Sequence, residues 1–226
     1  MIVFDDVTLR YHYDEFDILK GASFTLVDGV NTVLADAQSG KSSICKLLLK
    51  DVAPTSGRIC IDGVDICGIS NSNLHILYLP RNPLFFERRS VQYNLGYPLS
   101  VRKVGKRERR ARASVLAAQF DLPLDVKACK LSLQQRRFLA IARGLTVKRQ
   151  IALFDSFFDG ETLDFQYINS VLQHFSAVSS TLVIFTSDPQ LAIGHTVVLD
   201  GGTTVFEGDA ELAKQRVSEL YWLSQQ

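Results

Sequence analysis

The chain is poor in the residues that make redox and metal centres: four cysteines, four histidines and one methionine in 226 residues. Cys45, Cys60, Cys67 and Cys129 form no C-x-x-C pair and have no histidine close by in sequence. That spacing argues against a zinc site, so reduced, mostly buried thiols in a cytoplasmic protein are expected. Long apolar runs are also missing. Runs such as TLVIF at 181–185 have strand length, well short of the roughly 20 residues a membrane-spanning helix needs. The start, MIVFDDV, lacks a basic region followed by an apolar one, so no signal peptide is expected. No internal repeat or low-complexity segment is present. Neither sign of charge dominates: 25 Lys and Arg face 24 Asp and Glu, for a net charge of +1. The chain as a whole therefore does not advertise a polyanionic partner.

What is present suits a globular fold. The hydrophobic fraction is 46% and the charged fraction 22%, enough to build one or two domains with a buried core. One region departs from the charge balance. RKVGKRERRAR at 102–112 holds seven of the basic residues and one acid, Glu108. It reads either as a solvated helix face or as a contact surface for an anionic or protein partner.

Residues 2–10 and 21–27 alternate and are rich in Val, Phe, Thr and Leu, which predicts two antiparallel strands. VNTVLA at 30–35 reads as a buried strand leading into a helix from Ser42. A hairpin follows at 54–66 and a strand at 75–80. From about 90 to 145 the pattern turns helical, and SLQQRRFLAIARGL at 132–145 has helical periodicity. Strand and helix then alternate from 150 to the final helix after Asp209. This alternation argues for an α/β fold with a parallel sheet, an N-terminal antiparallel β part and an inserted helical subdomain over about 90–145.

ADAQSGKSS at 35–43 carries the chemistry. A strand running into Gly40-Lys41-Ser42 and a helix is the setting of a phosphate-binding loop, G-x-x-x-x-G-K-[ST], with Ala35 where the pattern has glycine. In such a loop backbone N–H groups at the helix start cradle phosphate oxygens, Lys41 reaches the β- and γ-phosphates, and the Ser42 hydroxyl takes Mg²⁺. The expected nucleotide contacts are Asp36, Ala37, Gln38, Ser39, Gly40, Lys41, Ser42 and Ser43. The alternative is a chance G-K-S at a helix N-cap. Asp155, closing the apolar run IALFD, is placed to take Mg²⁺ with Ser42, or else is a turn or N-cap aspartate. Tyr11 is expected to stack on a purine, with Tyr13 its near competitor and a packed core tyrosine the other possibility.

These stretches resemble, nearly end to end, the nucleotide-binding domains of ATP-binding cassette (ABC) proteins. VTLRY at 7–11, PTSGRICIDGVDI at 54–66, LYLPRNPLFFERRSVQYNL at 77–95 in the form typical of exporters, LSLQQRRFLAIARGL at 131–145 and IALFDS at 151–156 follow the family's order and spacing. The resemblance implies a P-loop NTPase core, ATP and Mg²⁺ as ligands, a head-to-tail dimer with a second such domain, and docking on a transmembrane subunit at the cytoplasmic face of a membrane. It also exposes departures. Ser156 stands where the family has its catalytic glutamate, Ser187 where it has the switch histidine, and Arg81 where it has the Q-loop glutamine. The signature, which in a dimer faces the partner's ATP, reads Ser132, Leu133, Gln134 and Gln135, with two side chains in place of two glycines. A serine hydroxyl does not serve as general base near neutral pH. Arg81 is expected to neutralise a γ-phosphate or to pair with Asp155. The expectation is a subunit that binds ATP with little or no hydrolysis; the alternative is a scaffold that keeps the fold without nucleotide.

Overall fold

The computed structural model describes residues 1–12, 16–36, 39–160 and 165–223. Strands β1 (Ile2–Leu9), β2 (Leu19–Leu26) and β3 (Gly29–Ala35) lead into helix α1 (Lys41–Leu48). Next come β4 (Ser56–Ile61), β5 (Val64–Asp65) and β6 (Ile76–Pro80). Three helices follow: α2 (Val91–Val101), α3 (Lys106–Gln119) and α4 (Leu133–Leu145). The chain then runs through β7 (Ile151–Asp155), α5 (Phe165–Ser176), β8 (Thr181–Thr186), β9 (His195–Asp200), β10 (Thr203–Asp209) and α6 (Ala210–Leu223).

Two sheets organise these elements. The first is antiparallel, in the order β2-β1-β4-β5. Along β1, Ile2, Phe4, Val7 and Leu9 are buried and the intervening residues are not, the mark of a sheet covered on one face. The step from Phe4 to Val7 is a bulge in which Asp6 takes a φ of 51°. Gly57 crosses there so closely that a Cβ would sit 2.2 Å from the Asp6 carbonyl oxygen, which explains a glycine at that point.

The second sheet has the order β10-β9-β3-β8-β7-β6; all neighbours are parallel except β10, which returns antiparallel to β9. Every residue of β7 and β8 is buried, as strands covered on both faces must be. One cover is α1 with the first sheet, where Phe4, Leu26, Ile44, Leu48, Leu153 and Phe185 share a core. The other includes α4 and α5, with Ile141, Phe154, Ile168, Phe175, Leu182 and Ile184 packed together. A third cluster, with Val91, Leu95, Ala113, Ala117, Leu139 and Ala142, joins α2, α3 and α4. The expected arrangement of antiparallel sheet, mainly parallel sheet and inserted helices is present, with the final strand antiparallel.

Two sequence expectations meet the structure differently. Helix α3 buries only Ala113 and Ala117, so its basic residues form a largely solvated face, with Arg112 paired to Glu108 at 2.5 Å. The thiols, by contrast, are not mostly buried. Cys45 is, on the inner face of α1, but Cys60 is half-buried and Cys67 and Cys129 are exposed, each in a short 3₁₀ turn at the surface. All four are free.

Candidate functional site

The phosphate loop is built where β3 meets α1. Ala35 is the last residue of β3 and lies outside the set of residues with positive φ, so the substituted glycine position is met by ordinary extended backbone. The left-handed conformation falls on Gly40, with φ 95° and ψ 2°, which is the N-cap of α1. A Cβ there would come 2.7 Å from Leu19 Cδ2, so glycine is required on two counts. No side chain caps α1, and its first turn faces an open cavity of about 430 Å³. Amide groups and helix dipole together make that end a place for anionic groups.

Lys41, Ser42 and Ser43 line this cavity with Asp36, Gly40, Ile18, Arg81, Ser156, Asp159 and Ser187. Lys41 is 9% exposed. Its ammonium donates to the Ala35 carbonyl, to the Asp36 carbonyl at 2.7 Å and to Ser187 Oγ at 2.9 Å. Burial lowers its pKa, opposed by the charges of Asp159, Asp36 and Asp155. Ser39 is buried beside the loop, and Ala37, Gln38 and Tyr13 lie outside the described residues. Tyr11 leans on the first core, bonds Ser43 Oγ through its hydroxyl at 3.1 Å, and has Lys46 Nζ 5.1 Å from its ring centroid.

The acidic groups divide in a way the sequence did not announce. Asp155 is 7% exposed, does not line the cavity, and accepts a 2.8 Å hydrogen bond on Oδ2 from the Tyr78 hydroxyl of the neighbouring β6. Burial and the bond to the Asp155 carboxylate both drive the Tyr78 pKa upward. Asp155 is thus held by Tyr78 and makes no ion pair with Arg81, the second of the two expectations for that arginine. Arg81 instead reaches over the next turn, where its Nη2 lies 2.8 Å from the point a Gly160 Cβ would occupy. Asp159, from that same turn, does line the cavity. Both Asp159 and Tyr78 escaped the sequence reading; DSFFDG offered only a second aspartate near the first.

Ser156 and Ser187 also reach the cavity wall, and among its described lining residues there is no glutamate and no histidine. The signature residues stand apart from it. Ser132 caps α4, accepting from the Gln135 amide at 3.2 Å while Gln135 Oε1 accepts from the Ser132 amide at 3.1 Å. This reciprocal box fixes the helix start and leaves Leu133 67% exposed. Behind it, Arg136 binds Glu87 through two bonds of 2.8 and 2.5 Å, and Arg143 donates to the Leu84 carbonyl at 2.7 Å. These contacts clamp the segment after Arg81 to α4.

A cavity of this size, with a buried ammonium and an uncapped helix start, fits a phosphate chain. Among the described residues no cluster of three or more His, Cys, Asp or Glu side chains forms a metal cage. A magnesium ion is usually held by one or two carboxylates together with the substrate's phosphates, and Asp36 and Asp159 line this cavity with Ser42. Among the described residues no helix is long and apolar enough to cross a membrane.

Comparison with known proteins agrees with this geometry. The sequence profile of the ABC transporter family matches residues 19–159. The chain is 28% identical over 221 residues to an ATM1-type heavy metal exporter of Novosphingobium aromaticivorans, covering 92% of this chain and 36% of that protein. It is 31% identical over 146 residues to the molybdate/tungstate import ATP-binding protein WtpC of Pyrococcus horikoshii, covering 63% and 42% respectively. A solved structure of a bacterial Atm1-family ABC exporter with ATP bound superposes with a TM-score of 0.78 at 26% identity, over 99% of this chain and 42% of that one. The chain therefore spans about two fifths of the length of these relatives. With the loop, the sheet order and the family profile in agreement, the chain belongs to the ABC transporter family, as a nucleotide-binding domain of the exporter-like kind.

Proposed function

We propose that this domain binds ATP for an ABC transporter-like complex while hydrolysing it little or not at all by itself. The observation that carries the reading is the contrast within one cavity. Lys41, Ser42 and the uncapped start of α1 line the cavity, and so do Ser156 and Ser187, which by the family resemblance replace the glutamate that activates water and the histidine that senses the γ-phosphate. When bound, Mg²⁺ would supply charge neutralisation of the phosphates, held by Ser42 and an aspartate from the end of β7 or the turn after it. Gly40 and the first-turn amides orient the phosphate chain, and Tyr11 offers its ring near the loop. A serine at position 156 has no capacity to accept a proton from water near neutral pH.

The complex that fits is asymmetric. This chain's loop would face the signature of a second, competent cassette, and Leu133 and Gln134 would face the partner's loop. A transmembrane subunit would hold both at the cytoplasmic face of a membrane. The exposed aromatic residues Phe86, Tyr93 and Tyr97 beside the basic face of α3 support contact with another protein. One observation favours the second reading, a scaffold without nucleotide: the Lys41 ammonium already has three acceptors inside the protein. Thermal unfolding with and without MgATP separates the two. The first requires a rise in Tm that Lys41→Ala diminishes; an unchanged Tm, with calorimetry showing no binding, supports the scaffold.

A further inference from the structure

Four parallel strands of the second sheet end at the cavity, and the first residue after each of them lines it: Asp36 after β3, Arg81 after β6, Ser156 after β7 and Ser187 after β8. Pro80 pairs with Asp155, so Arg81 and Ser156 leave neighbouring strands side by side. The carboxyl ends of parallel strands are where ligands of such sheets are held.

Of these four, Arg81 brings a charge that the protein leaves unused. Its stretch of backbone is anchored, since Arg143 donates to the Leu84 carbonyl and Arg136 binds Glu87. The guanidinium itself is exposed and makes no hydrogen bond, ion pair or ring contact with the described residues. It lies over the turn at Gly160, where a Cβ would come 2.8 Å from Nη2, so glycine leaves it room. Two carboxylates of that region are engaged elsewhere. Asp155 accepts from the Tyr78 hydroxyl at 2.8 Å, and Asp159 accepts from the buried Thr186 hydroxyl at 2.6 Å.

The charge balance of the wall gives the guanidinium its consequence. Lys41 and Arg81 are its cations, and Asp36 and Asp159 its carboxylates. Without Arg81, one cation would face two carboxylates, a field that repels a polyphosphate. Lys41 must also release carbonyl and hydroxyl acceptors before it can bind phosphate, whereas Arg81 has only water to give up.

We propose that Arg81 binds the terminal phosphate of the nucleotide, so that this site prefers a triphosphate to a diphosphate and depends on Mg²⁺ less than the same site with a neutral residue there. The inference rests on the nucleotide-binding reading given above. A planar guanidinium can grip two phosphate oxygens at once and carries its charge at every working pH. A cation fixed beside the same oxygens does part of the neutralisation that a metal ion otherwise supplies, and it repels that ion.

The test is equilibrium binding of trinitrophenyl-ATP and trinitrophenyl-ADP, each with Mg²⁺ and with EDTA, to the wild type and to Arg81→Gln, Arg81→Lys and Lys41→Ala. Circular dichroism confirms the fold of each variant, and Arg81→Lys keeps the charge if the glutamine variant does not fold. In EDTA, Arg81→Gln should weaken the triphosphate analogue about tenfold or more and leave the diphosphate analogue within about threefold. Arg81→Lys should fall between the wild type and Arg81→Gln for the triphosphate. Mg²⁺ should tighten triphosphate binding more in Arg81→Gln than in the wild type. A merely structural role for Arg81 would weaken both analogues alike, and that result overturns the proposal. So does an unchanged triphosphate affinity in Arg81→Gln, or an equal gain from Mg²⁺ in the two proteins. Absence of binding to the wild type, or binding unaffected by Lys41→Ala, would instead remove the nucleotide reading on which the proposal stands.

Discussion

Lys41→Ala removes one ammonium group from a nearly closed environment, and its effect on nucleotide affinity follows from what that group touches. In the free protein Nζ is held by the Ala35 and Asp36 carbonyls and by Ser187 Oγ. Phosphate must displace at least part of this set, so the net gain is an exchange of neutral acceptors for charged ones, not a new contact. Charge-assisted bonds are worth about 1.5–3 kcal/mol, which corresponds to a weakening of roughly 10- to 150-fold on substitution. The consequence can be read as a melting temperature. With ligand at 100 times its Kd for the wild type, binding adds about 2.7 kcal/mol of stability. A domain of this size gains roughly 2–4 °C in Tm per kcal/mol, so the expected rise is about 5–11 °C. At the same ATP concentration a tenfold weaker variant keeps about half of it, and a 100-fold weaker one keeps about 1 °C. Differential scanning fluorimetry at fixed MgATP, with the ligand-free Tm of each protein as baseline, makes the measurement. An equal ligand-induced rise in wild type and variant would refute the reasoning, since nucleotide would then bind without the loop lysine.

Other consequences follow from the same contacts. Ser156→Glu alone should leave ATP turnover close to background, because Ser187 and the Leu133-Gln134 signature are also altered and groups that act as a unit do not recover singly; a phosphate-release assay showing strong rescue would contradict this. Ser132→Ala removes the cap of α4 and should cost about 1 kcal/mol in urea unfolding, with the m-value unchanged. Glu87 is bonded by Arg136, which holds its pKa below the ordinary glutamate value of 4.5. Its stabilising contribution is therefore complete above that value and lost as the pH falls through the lowered one. The pair is partly exposed and screened, so Glu87→Gln should cost only about 0.5–1 kcal/mol at neutral pH and flatten the acid limb of a stability–pH curve; an unchanged acid limb would show that the pair contributes nothing.

The sequence revealed most where one physical cause dominated. Strands β7 and β8 read as continuous apolar runs because they are covered on both faces, and β1 alternated because it is covered on one. The loop was legible because the requirements at Gly40, Lys41 and Ser42 are local to the start of α1. The division between Asp155 and Asp159 was not legible. It depends on Tyr78, 77 positions before Asp155 and brought next to it only by β6–β7 pairing, and on Thr186, 27 positions beyond Asp159. The thiols were misjudged because cysteine is usually buried, whereas Cys67 and Cys129 fall in surface turns, the first capped locally by the Asp65 side chain and the second held by backbone bonds to Arg89 and Glu87. Nor did the periodicity of α4 show that Ser132 and Gln135 would cap each other.

The central claim is that this cavity binds ATP and does not turn it over, and phosphate release by the purified wild type tests it most directly, with Lys41→Ala as the control for contaminating ATPases. Ser156 and Ser187 line the cavity, and by the family resemblance they stand where the catalytic glutamate and the switch histidine are expected. A missing acid–base group typically forfeits about 10²–10⁴-fold in rate, so release at the background of the Lys41→Ala control is the predicted result. Turnover near 1 s⁻¹, the lower end of ordinary enzymes, that disappears in Lys41→Ala would contradict it.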